Sequence, residues 1–148
     1  MGTRTRTARS VAAGLQVWAQ GHDAHVRAAV GLLINHDVWL RRVEFQALCL
    51  HRDPDGSYWI DWTAARAAYD GGLFARASTS ERAVLDLAIA LASDRFRLSV
   101  MSTGKARLVA EAVAAAAGIP VPRRARPGPA ETPHDHHPAP AGESEMTS

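Results

Sequence analysis

One cysteine, Cys49, stands in a chain of 148 residues, so no internal disulfide can form and covalent stapling is excluded as a source of stability. Cys49 lies among apolar neighbours and reads as a small buried side chain. No apolar run approaches the ~18 residues of a membrane span. Residues 1–20 also lack the long apolar centre of a secretory signal, so a cytoplasmic protein with no membrane partner is expected. The body of the chain lacks net charge, since residues 10–119 hold ten Arg and one Lys against eight Asp and three Glu. The formal excess of +2 lies outside that body: Arg4, Arg6 and Arg9 are basic, while residues 120–148 are net acidic by one. Non-specific affinity for nucleic acid scales with the phosphates neutralised, so a neutral body with a short basic arm leaves only a weak electrostatic footprint.

Chemical signatures are equally sparse. A phosphate-binding GxxxxGK[ST] loop is missing, because Gly104-Lys105 is followed by Ala106 and Ser99 stands where the first glycine belongs. Without that loop, the likeness of Ser78-Thr79-Ser80-Glu81 to the signature helix of ABC-type ATPases reduces to helix capping. His22 with His25 and Cys49 with His51 could be drawn as a zinc site. The i, i+2 spacing of Cys49 and His51 splays them around a helix, however, and no Cys-x-x-Cys pair anchors them. His134, His136 and His137 read as a solvated tail. Asp53, Asp55 and Asp61 fail the EF-hand pattern, since Ser57 and Trp59 interrupt it, and they read as turn and cap residues. No Gly-x-Ser-x-Gly elbow is present. No catalytic residue, cofactor or metal is therefore expected, although catalytic groups that converge from distant positions would escape such a reading.

What is present is helical patterning. With 47% hydrophobic and 22% charged residues the chain has the composition of one ordinary globular domain. The strongest element runs over 78–93: Ser78 and Glu81 have capping-box spacing, and the helix they open carries Val84, Leu87, Ala88 and Leu91 on one stripe, widened by Leu85 and Ile89. Leu87 is expected at the centre of its buried face. Before it, Val11, Leu15 and Trp18 recur at helical spacing over 8–20 and end at Gly21. Asp23 caps a second helix with Val26, Ala29, Val30, Leu33 and Ile34 inward, closed at Asn35.

Residues 38–51 fit both periods, and their length and Glu44 favour helix. Asp53-Pro54-Asp55-Gly56 is a turn, residues 58–60 a short strand, and 62–69 a helix stopped by Gly71-Gly72. Residues 96–100 are expected to pair with 58–60. Thr103 opens a last helix with Ala106, Val109, Ala112, Val113 and Ala116 inward, stopped by Gly118 and Pro120. Seven of the eight prolines follow from Pro120 onward, predicting a disordered tail. The expected architecture is mainly α: a flexible basic arm over 1–7, a compact domain of five to six helices with a minor two-stranded β element over 8–119, and a Pro-rich tail over 120–148.

Trp39, Trp59 and Trp62 beside Arg41 and Arg42 are the candidate surface. Aromatics next to arginines are enriched at binding hot spots, and two adjacent arginines cannot both be buried without acidic partners. Trp39, Arg41 and Arg42 are accordingly expected to form a partner surface; if they brace the fold instead, Asp37 and Glu44 are the available partners. This makes a protein-binding or regulatory module the leading reading. A nucleic-acid-binding module using Arg4, Arg6 and Arg9 is the second, and an enzyme of unknown class the third.

Three segments together carry a resemblance: Leu32-Leu33-Ile34 with His36, Trp39-Leu40-Arg41-Arg42 and Phe45; then Trp59-Ile60-Asp61-Trp62; then Ser80-Glu81-Arg82-Ala83-Val84-Leu85. Over residues 30–117 the chain resembles small uncharacterised proteins of high-GC actinobacteria and their phages or mobile elements. The resemblance implies no activity; it implies a helix over 37–51 and a mobile-element setting.

Overall fold

The computed structural model describes residues 2–122, with side chains from Arg9 onward. Six helices, α1 (Gly2–Gln20), α2 (Ala24–His36), α3 (Val43–Cys49), α4 (Trp62–Asp70), α5 (Thr79–Ala92) and α6 (Thr103–Ala116), accompany one hairpin of β1 (Leu50–Arg52) and β2 (Tyr58–Ile60). The fold is mainly α, as the periodicity predicts. Helix α1 begins at Gly2, whereas the sequence placed its start at about Ala8 and an arm before it. The Pro-rich tail lies, beyond Pro122, outside the described residues. The chain divides into two units, Met1–Ala110 and Glu111–Ser148; the first holds the core, and the described part of the second contains the end of α6.

Local chemistry explains the element boundaries. Ser78 Oγ accepts from Glu81 N at 3.2 Å while Glu81 Oε2 accepts from Ser78 N at 2.8 Å, so the capping box of α5 is complete. Asp61 Oδ1 accepts from Ala64 N at 2.8 Å and caps α4. Asp23 occupies the N-cap position of α2 without a side-chain cap bond, and α2 runs past Asn35 to a left-handed Asp37.

Residues 38–51 are not one helix. Trp39–Arg41 form a 3-10 turn, Val43–Cys49 form α3, and the chain then becomes β1. The strand partner of β2 is therefore β1, in the register Leu50↔Ile60, His51↔Trp59 and Arg52↔Tyr58, and not residues 96–100. The physical reason is proximity: Asp53 N donates to Ser57 O and Gly56 takes φ +88, closing a tight turn between two adjacent segments at little entropic cost. Leu98–Val100 instead forms a 3-10 turn. Asp94 holds it by accepting hydrogen bonds from the backbone N–H and the hydroxyl of Ser99.

The core gathers Val11 and Leu15 of α1, Val30 and Leu33 of α2, Trp39, Leu40, Phe45 and Cys49, Ile60 of β2, Ala65 of α4, and Leu85, Ala88 and Ile89 of α5. Helices α2 and α5 form the most extensive pair. Strand β2 packs on α1 at Gly14, where a Cβ would lie 2.7 Å from Tyr58 Cδ2; only glycine allows that approach. Helix α5 is turned relative to the expected phase: Leu85 is fully buried and Leu87 is 42% exposed.

Candidate functional site

Trp39 is no surface residue. It is fully buried, its ring 5.1 Å from Phe74 at 70° and 6.0 Å from Phe45, and its Nε1 donates to Glu81 O at 2.9 Å. Burying an indole this completely requires an acceptor for its N–H, and the first turn of α5 supplies one. The expected role of Trp39 in a partner surface is thus corrected: it anchors the 3-10 turn to α5. Arg42 completes the same corner. Its Nη2 donates to Glu81 Oε2 at 2.6 Å and its guanidinium carbon lies 5.2 Å from the Trp39 ring centroid. One carboxylate oxygen thereby closes the capping box and holds Arg42. Hydrogen bonding from Ser78 N–H, and then the charge of Arg42, hold the Glu81 carboxyl below the ordinary carboxylate range. Arg41 pairs with Asp37 one helical turn away and is the most exposed of the three. Of the expected triad, Trp39 and Arg42 are brought together inside the fold and Arg41 is left at the surface.

Arg9 is exposed, and the side chains of Arg4 and Arg6 lie outside the described residues. The candidate metal ligands do not converge. His22 Nδ1 lies 2.9 Å from Trp18 O and His25 Nδ1 lies 3.0 Å from Leu91 O, each positioned to donate to that carbonyl. His51 stacks on Trp59 at 4.4 Å and 22°. Burial, and secondarily the charge of Asp61, push the Cys49 thiol up to about 11, so it stays protonated at neutral pH and is a poor ligand or nucleophile. Among the described residues no group of three or more His, Cys, Asp or Glu side chains could hold a metal ion. The candidate carboxylates are each engaged close to home, since Asp55 Oδ1 accepts from Ser57 N and Oγ, Asp53 Oδ1 accepts from Trp59 Nε1 at 3.2 Å, and Asp61 caps α4. No described helix is long and apolar enough to cross a membrane.

Two features were missed by sequence reasoning. The first is α6, expected to turn Ala106, Val109, Ala112, Val113 and Ala116 inward. None of its residues is buried, and Leu108 and Val113 are 66% and 59% exposed. Its alanines line nearly every side, so the pattern holds no cue to which face, if any, meets this chain's core. The second is a groove of about 970 Å³ between α4 and α5. Trp62, Ala67, Ile89 and Ala92 line it, and Arg66, Asp70 and Arg95 border it. Arg66 bonds to Asp70 at 3.2 Å and also pairs with Asp86, so two carboxylates share one guanidinium. Arg95 is exposed and makes no ion pair among the described residues. Only the joining of α4 and α5 creates this groove, and no local motif announces it. Comparison with protein-family models, with curated proteins and with solved structures returns no match.

Proposed function

We propose that this chain is a non-enzymatic protein-binding module of the cytoplasm whose contact element is α6. The observation that carries the reading is a 14-residue helix with no buried residue, displaying Leu108, Val109 and Val113. An isolated helix of that length is marginal in water, since helices in proteins draw most of their stability from packing an apolar face. Exposed apolar side chains grouped on one element are the mark of an interaction surface. Packing against a partner supplies what α6 lacks. The test is cross-linking and capture from a host extract with the wild-type chain and with a Leu108→Asp/Val113→Asp variant. The variant should melt with the wild type and lose the captured protein, because neither side chain contributes to the core. A variant that keeps every captured protein would overturn the proposal.

A further inference from the structure

We infer that the partner of α6 is a second copy of this chain, and that α6 docks in the α4–α5 groove of that copy. The inference rests on the reading of α6 as a contact element and adds what it contacts. The chain carries both halves of a helix-in-groove contact. Val109, Ala112 and Ala116 follow at i, i+3 and i+7, and Leu108 and Val113 flank that stripe. The stripe from 105 to 116 spans roughly 16 Å at 1.5 Å per residue. Along α4 the groove runs from Trp62 to Asp70, roughly 12 Å on the same rise, and the buried Ile89 and Ala92 of α5 form its other wall. Ala112 and Ala116 meeting Ala67 and Ala92 would let the helix axes approach closely.

Charge fixes the direction. Lys105 lies one turn before Val109 on the same stripe, and it is exposed. Arg66 in the groove is shared by Asp70, at the end of α4, and by Asp86, just outside the lining, which leaves an excess negative charge for the Lys105 ammonium. At the other end stands Arg95, where the carbonyls at the C-terminal end of α6 would bring the negative end of its dipole. Helix and groove are different surfaces: two copies that reciprocate form a closed isologous dimer, and a one-way heterologous contact either closes into a ring or grows.

Sedimentation velocity over a wide concentration range tests this, with thermal melts as the folding control. The wild type should self-associate. Leu108→Asp, which disables the helix, and Ala67→Trp, which fills the groove at an exposed position, should each weaken association at least about tenfold. A mixture of these two variants should recover a 1:1 pair, because it holds one intact helix and one intact groove. Lys105→Glu should weaken association and Asp70→Lys should restore it. Self-association that Ala67→Trp leaves unchanged, with no recovery on mixing, overturns the groove. A wild-type chain monomeric throughout, with α6 amides unprotected in dilute solution, overturns the second copy while leaving α6 free to bind a different protein. Protected α6 amides in that dilute monomer would overturn both readings.

Discussion

Leu85 and Leu87 sit two residues apart on α5, and replacing each by alanine separates a core position from a surface one. Leu85 is fully buried among the core side chains, so Leu85→Ala loses its transfer free energy and leaves a cavity that neighbours fill only in part, roughly 2–5 kcal/mol. Leu87 is 42% exposed, so water replaces the lost methyl groups without a cavity. About half of the ~1.5–3 kcal/mol for burying a leucine is at stake, and leucine and alanine differ little in helix propensity, which gives about 1 kcal/mol. Each kcal/mol moves the midpoint of a domain of this size by about 4 °C, so Leu85→Ala should lower it by roughly 8–20 °C and Leu87→Ala by only about 4 °C. Thermal melts followed by circular dichroism, with urea titrations for the free energies, measure both. Equal losses at the two positions, or a larger loss at Leu87, would refute the phase of α5 and with it the packing against α2.

Gly14→Ala should cost about 1–3 kcal/mol in a urea titration, because the new methyl group meets the Tyr58 ring at 2.7 Å and β2 must shift off α1. Trp39→Phe keeps an aromatic ring but removes the N–H that Glu81 O accepts beside its helical bond and leaves part of the indole's volume empty, and should cost about 1–3 kcal/mol while leaving self-association intact. The carboxyls of Glu81, Asp55 and Asp94 are held low in the fold, so the stability they contribute is present above the ordinary carboxylate range and disappears as pH falls through their lowered values. A melting midpoint that falls on acidification below that range, with a shallower fall in Glu81→Gln, is the expected profile. Cys49, with its thiol pushed up to about 11, should resist a thiol reagent at neutral pH in the folded chain and react once urea unfolds it.

How far the sequence could be read depends on the range of each interaction. The Ser78–Glu81 capping box and the Asp61 cap were legible because donor and acceptor lie three residues apart. The phase of α5 was not: apolar residues surround that helix, and only the position of α2 decides that Leu85 rather than Leu87 faces inward. Trp39 looked like a surface residue because its neighbours Arg41 and Arg42 are charged. Its burial depends on Phe74 and Glu81, 35 and 42 positions away. The turn over 53–57 was legible, but β1 was hidden by being continuous with the apolar pattern of α3. The exposure of α6 had no signal at all, since an alanine-rich helix looks the same whether it packs on its own chain or on another.

Amide hydrogen exchange in dilute solution, resolved by residue, measures whether α6 is held by its own chain. Leu108, Val109 and Val113 should exchange at rates close to those of an unstructured peptide, while Leu85, Ala88 and Ile89 of α5 open only with global unfolding, and raising the chain concentration should protect α6 selectively. Protection in α6 that equals that of α5 at the lowest concentration would contradict it, because the helix would then owe its stability to its own chain.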